Sequence, residues 1–157
     1  MTIKTILVPT DFSESALAAF KVACGLANQL GAKLCVLHVR DESCLRVAIK
    51  EGLLNEAQTD EQLEEAVHKL EITRFEAMLG CVDRGDIAVE QTSRRGESAA
   101  TIVAYAAETK ADLVVIGRRG AGFAETLRSA VLGSVAETLV RKSPCPVLVV
   151  RRDHLPA

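Results

Sequence analysis

The chain of 157 residues has no tryptophan, one tyrosine (Tyr105) and four phenylalanines. So few aromatic side chains exclude a base-stacking platform for single-stranded nucleic acid. Neither sign of charge dominates: nineteen lysines and arginines face twenty-one aspartates and glutamates, for a formal charge of -2. A general nucleic-acid binder carries a basic excess, so no such partner is expected. No apolar run reaches the roughly 18 residues of a membrane-spanning helix, and no membrane association is expected. The opening Met1-Thr2-Ile3-Lys4 leads straight into an apolar run of strand length, without the longer apolar region and cleavage site of a secretory leader. The five cysteines, Cys24, Cys35, Cys44, Cys81 and Cys145, form no C-x-x-C pair, which leaves a zinc site or thioredoxin-like motif unsupported. They read as small buried hydrophobes in a protein of the reducing cytoplasm.

What is present is an ordinary globular composition, 48% hydrophobic and 25% charged. The length is that of one domain, residues 1–157, able to bury a core without disulfide or metal. Short apolar runs recur: Ile6-Leu7-Val8, then Leu34 to Val39, then the more polar and alternating Ile87 to Thr92. Leu113 to Ile116 and Val147 to Val150 follow. Continuous runs suit strands covered on both faces, as in a parallel sheet between helices, and the alternating third run suits an edge.

Helical patterns separate these runs. Asp11-Phe12-Ser13-Glu14 fits a capping box with Asp11 as N-cap, and Gly31 stops the helix that follows. A second helix starts at Thr59-Asp60-Glu61-Gln62 and carries Leu63, Val67, Leu70, Phe75 and Met78 inward. A third runs from about Glu97 to Thr109, and a fourth from Gly133-Ser134 to before Ser143-Pro144. Residues 41–58 suggest a short amphipathic helix. The order β-α-β-α-β-α-β-α-β specifies an α/β fold: an open five-stranded parallel sheet with helices on both faces, Rossmann-like, with right-handed crossovers.

In such sheets ligands bind beyond the carboxyl ends of the strands, where strand order reverses. The strand exits are Pro9-Thr10-Asp11, Arg40-Asp41 and the glycine-rich Gly117-Arg118-Arg119-Gly120-Ala121-Gly122. Glycines there let backbone N–H groups approach phosphate oxygens, and a helix opening at Gly133-Ser134 adds amide donors and the positive end of its dipole. Ser134 offers a hydroxyl, and Arg118 or Arg119 offers positive charge. The alternative is a connecting loop with solvated arginines. The segment is neither a Walker A loop nor the dinucleotide G-x-G-x-x-G fingerprint.

Five stretches together resemble the universal stress protein family over nearly the whole chain. They are Ile6 to Ser13, Leu37-His38-Val39, Ala111 to Gly117, Leu132 to Ala136, and Ser143 to Val150. The resemblance implies strand order 3-2-1-4-5, a homodimer joined along the fifth strands, and a regulatory or protective role under stress. It further implies ATP as ligand, with Mg2+ as a possible companion, in members that carry G-x2-G-x9-G-(S/T). Here Gly117 and Gly120 match the first pair and Gly133-Ser134 the end. Twelve residues, 121–132, separate Gly120 from Gly133, however, three more than that motif has. The extra residues either bulge out while both ends hold the phosphates, or occlude the pocket; the second outcome gives a dimeric interaction protein without nucleotide. By the same resemblance Asp11 stands near the adenosine, Pro9 and Thr10 line that wall, and the Val39 backbone meets the adenine edge.

A fast reaction is not indicated. Phosphoryl transfer needs positioned cations and an oriented nucleophile, and no paired carboxylates are evident beside Asp11 and Ser134. His38 lies within an apolar strand and reads as a satisfied core histidine; His68 and His154 have no matching nucleophile. Activity beyond slow ATP hydrolysis is not expected. Arg94-Arg95, placed just after the third strand, is either a solvated edge or an aid to anion recruitment.

Overall fold

The computed structural model describes residues 1–41, 46, 48–52, 54–55, 59–119 and 132–152. Five strands, β1 (Thr5–Thr10), β2 (Lys33–Arg40), β3 (Val89–Arg95), β4 (Leu113–Gly117) and β5 (Val147–Val150), form one parallel sheet in the order β3-β2-β1-β4-β5. The architecture is the one expected from the sequence pattern, and the strand order is the one the family resemblance implied. Helices α1 (Glu14–Leu30), α2 (Asp60–Gly80), α3 (Ser98–Glu108) and α4 (Ser134–Lys142) connect them.

Side chains alternate across a strand, so β1 feeds two cores. Ile6 and Val8 pack with Phe20 of α1 and Phe75 and Met78 of α2. Leu7 packs on the opposite face with Ile102 and Tyr105 of α3 and Leu139 of α4. Each face of the sheet is thus covered, which is why the central strands read as unbroken apolar runs.

Most helix ends follow from the sequence. The Thr59 hydroxyl accepts from Gln62 N–H (3.3 Å) while Gln62 Oε1 accepts from Thr59 N–H (3.1 Å), closing the capping box of α2. Gly31 takes the left-handed conformation (φ 64°) that ends α1. The start of α1 differs from expectation: Ser13, not Asp11, is the N-cap, its hydroxyl accepting from Ala16 N–H (3.2 Å). Phe12 stands between them at φ 62°, which breaks the helical path before Asp11 is reached. Asp11 Oδ1 instead accepts from Ser13 N–H (3.0 Å), a local turn of the kind aspartate favours.

The third strand begins at Val89 rather than Ile87 and continues through Arg94 and Arg95. These arginines lie inside the strand, because β2 extends to Arg40 and pairs Val39 with Arg94 and Arg40 with Arg95. On α2, Phe75 and Met78 are buried as expected, whereas Leu63, Val67 and Leu70 are only half-buried. In the 41–58 segment, residues 46 and 48–50 are helical; 42–45, 47, 53 and 56–58 lie outside the described residues.

Among the four described cysteines, Cys24 and Cys35 are buried, Cys145 is half-buried, and Cys81 is exposed, contrary to its reading as a core residue. It caps the carboxyl end of α2, where the chain leaves the core. Burial pushes the Cys24 and Cys35 thiols up to about 11, so both are neutral packing groups at ordinary pH.

Candidate functional site

Strand order reverses between β1 and β4, whose chains then turn to opposite faces of the sheet. Pairing between these strands runs only through Ile6–Leu113 and Leu7–Val114. Beyond Leu7 they part, and Pro9, which has no N–H, removes a donor at that end. The β1–β2 ladder stops at Thr10–His38, so Val39 lies one residue past it. The strands therefore diverge at the switch point, the place where sheets of this class take ligands.

The two glycine turns meet there. Gly133 N–H donates to the Arg118 carbonyl oxygen at 2.8 Å, across the span that contains residues 120–131. A Cβ on Gly133 would lie 3.0 Å from that oxygen and 3.3 Å from Arg119 Cα, so glycine permits the approach. Gly117 answers to a different neighbour. A Cβ there would lie 2.5 Å from the Ser15 carbonyl oxygen, 2.7 Å from its carbon and closer still to its hydroxyl. The first turn of α1 therefore packs against the backbone at the end of β4.

Several donors near these turns already have acceptors. Arg118 N–H donates to Val150 O (3.0 Å) and Arg119 N–H to Ser15 Oγ (3.4 Å). Gly133 N–H is taken by Arg118. What the turn presents beyond them is the start of α4, whose N-cap Gly133 has no side chain to bond the first-turn amides. Ser134 opens that helix, its carbonyl accepting from Thr138 Oγ1 (2.9 Å). The other helices, α1, α2 and α3, are capped by Ser13, Thr59 and Glu97.

On the β1 side, Pro9 and Thr10 are buried and Asp11 is half-buried. Thr10 Oγ1 accepts from Phe12 N–H (3.0 Å) and donates to Met78 Sδ (3.4 Å). Val39 is buried against the α3–α4 face. Asp41 accepts from Ser98 Oγ (3.1 Å), a structural use at the start of α3. Gly120 lies outside the described residues, as do Ala121 and Gly122.

His38 is a buried histidine with a partner, as its strand position suggested. Its Nδ1 lies 2.9 Å from Thr10 O, an acceptor, which fixes the proton on that nitrogen. Nε2 stands 3.7 Å from Glu71 Oε1, and the Phe12 ring packs at 4.7 Å. Burial holds the imidazole pKa below its ordinary value despite the upward pull of Thr10 O and Glu71.

Glu71 was not singled out by motif, although its spacing carried a signal. Val67, Glu71, Phe75 and Met78 fall on one helical face, so a carboxylate there must be buried with partners. Glu71 is 6% exposed. Its Oε1 accepts from Ser93 Oγ (3.0 Å) and lies 3.0 Å from Arg40 Nε. Arg40 also meets Glu64 (3.3 Å), and Arg95 pairs with the same Glu64. This network floors a cavity of about 700 Å³ between α2 and the carboxyl ends of β2 and β3; Gly117, Gly133 and Ser134 do not line it.

This constellation, a parallel sheet of order 3-2-1-4-5 with glycine turns joined at its switch point, defines a class of Rossmann-like α/β proteins. The chain belongs to the Universal stress protein family, whose model matches residues 2–151. It is 37% identical over 149 residues to the "Universal stress protein in QAH/OAS sulfhydrylase 3'region" of Thermus aquaticus, covering 94% of this chain and 98% of that protein. The solved structure of hypothetical protein MJ0577 superposes with a TM-score of 0.76 at 26% identity, covering 96% of this chain and 97% of that one. A universal stress protein solved in complex with cAMP gives a TM-score of 0.59 at 26% identity, covering 97% and 99%. Among the described residues, no helix is long and apolar enough to cross a membrane.

Proposed function

We propose that this chain is a single-domain cytoplasmic stress-response module that binds an adenine nucleotide, ATP, at the crevice between β1 and β4. The observation that carries this reading is the 2.8 Å bond from Gly133 N–H to Arg118 O, which brings the separated glycine turns together despite the lengthened interval. The family relationship and the cAMP complex of a relative support the same ligand class. In this reading the phosphates rest on the first-turn amides of α4 and the Ser134 hydroxyl, with Arg118 and Arg119 nearby as cations and Mg2+ arriving with the nucleotide. Asp11, Pro9, Thr10 and Val39 form the adenosine wall. Gly117, Gly120 and Gly133 are the glycines the family pattern assigns to the phosphates; at Gly117 the room left by the missing Cβ is taken by Ser15.

The site is one for binding rather than fast turnover. Asp11 holds the Ser13 amide, and His38 is committed to Thr10 and to a buried position, which leaves neither as a ready base. Hydrolysis of ATP is therefore slow at most.

We also place a homodimer along β5. This strand is an edge, and an unpaired edge is a template for another chain. Leu148 of β5 is 38% exposed and Val140 of α4 is 56% exposed, an apolar surface beside that edge.

A second reading, an interaction module of the same fold without nucleotide, is favoured by one observation: the amides of Arg118, Arg119 and Gly133 all have acceptors within the protein. Calorimetric titration of ATP with Mg2+ decides between them. Saturable binding that weakens about tenfold in Ser134→Ala supports the nucleotide reading. No heat at millimolar ATP leaves the interaction module.

A further inference from the structure

The cavity beside α2 lies apart from the residues proposed for the nucleotide: none of Asp11, Val39, Gly133 and Ser134 lines it. His38 and Arg40 reach it from one face of β2, whereas Val39 packs on the other. Its volume of about 700 Å³ is that of a small-molecule site. Phe12, Val67 and Leu70 supply apolar walls, and the half-burial of the latter two contrasts with the closed packing of Phe75 and Met78 further along the helix.

The charges around it select a ligand. The four carboxylates of the lining are engaged: Glu71 by Ser93 and Arg40, Glu64 by Arg40 and Arg95, Asp41 by the Ser98 hydroxyl, and Glu97 by the amides of Ala99 and Ala100. Arg74 is held more loosely than the other guanidiniums of the cavity. Its carboxylate contact, Glu51, is 3.8 Å away, and its Cζ lies 5.9 Å from the centre of the Phe12 ring. A cationic ligand would have to displace these arginines from carboxylates, whereas an anion finds Arg74 beside an apolar wall.

We infer that this cavity binds a small amphipathic carboxylate, its apolar body against Phe12, Val67 and Leu70 and its carboxylate on Arg74. The inference stands independently of the nucleotide reading. Phe12 joins the two regions in space, because its ring lines the cavity while its amide donates to Thr10 Oγ1.

Octanoate titrated calorimetrically into the full chain tests it, with 1-octanol as the uncharged control. One saturable octanoate site is expected. Leu70→Trp, which fills the cavity, is expected to weaken it at least tenfold, and Val67→Phe serves the same purpose should melting curves show the first variant unfolded. Arg74→Gln should weaken octanoate about tenfold while changing 1-octanol less than twofold, and Arg74→Lys should recover part of the loss. Absence of octanoate binding, or binding unchanged by either folded cavity-filling variant, overturns the site. Equal losses of octanoate and 1-octanol in Arg74→Gln overturn the assignment of the carboxylate.

Discussion

Gly133 donates its amide hydrogen to the carbonyl oxygen of Arg118 at 2.8 Å, and this bond ties the start of α4 to the end of β4. The neighbouring Gly117 plays a different part, since α1 rather than any ligand occupies the room its missing Cβ leaves. Gly117→Ala is therefore expected to destabilise the fold by about 1–3 kcal/mol through overpacking, with or without nucleotide. Ser15→Ala should not rescue it, because the Ser15 backbone carbonyl also stands in the way. Urea denaturation of the single and double variants checks both outcomes.

Within the β1–α1 turn, the helix cap and the proposed adenosine wall fall on different residues. Ser13→Ala is expected to lower stability by about 1 kcal/mol, the usual effect of losing an N-cap side chain. Asp11→Asn should leave that cap in place, since its amide oxygen can still accept from Ser13 N–H, and should weaken ATP if Asp11 lines the adenosine. Thermal melts paired with nucleotide titration distinguish the two residues.

The pH dependence follows from His38. Its pKa in the fold is depressed by burial below the ordinary 6.5. Between those two values the unfolded chain binds more protons than the folded one, so stability falls as pH drops from 6.5 toward the folded value. Below the folded value this contribution levels off. The difference in unfolding free energy between about pH 7.5 and about pH 5.5 is expected to shrink in His38→Asn, which retains a donor for Thr10 O. An unchanged difference would assign the pH response to other groups.

Leu148→Glu places a charge at the exposed edge of the sheet and is expected to convert a dimer to a monomer without unfolding it. Sedimentation equilibrium at micromolar concentration reads the change. A wild-type chain that sediments as a monomer contradicts the β5 interface.

The fold was legible because the strands and helices each announced themselves locally. Ile6-Leu7-Val8 and Leu113 to Ile116 are buried on both faces, and their unbroken apolar runs say so. Thr59 with Gln62, and Gly31, marked helix ends by chemistry that needs no tertiary partner. The start of α1 was misplaced because the left-handed Phe12 is fixed by packing against His38 and Phe75, which local sequence does not reveal. Likewise Arg94 and Arg95 read as lying just past the third strand, although the length of β2 draws them into the sheet. At the site, the glycines were visible as a pattern. Which neighbour requires each glycine was not, since Ser15 lies about a hundred residues from Gly117 in the chain. The partners of Glu71 were hidden for the same reason: Arg40 and Ser93 come from two other strands.

The most direct test of nucleotide binding at the joined glycine turns is an amide NMR titration with ATP and Mg2+. The account predicts saturable shifts at Arg119, Gly133, Ser134 and Val135, with Leu148 on the far edge unmoved. Shifts absent from the start of α4, or confined to residues around the α2 cavity, would contradict it.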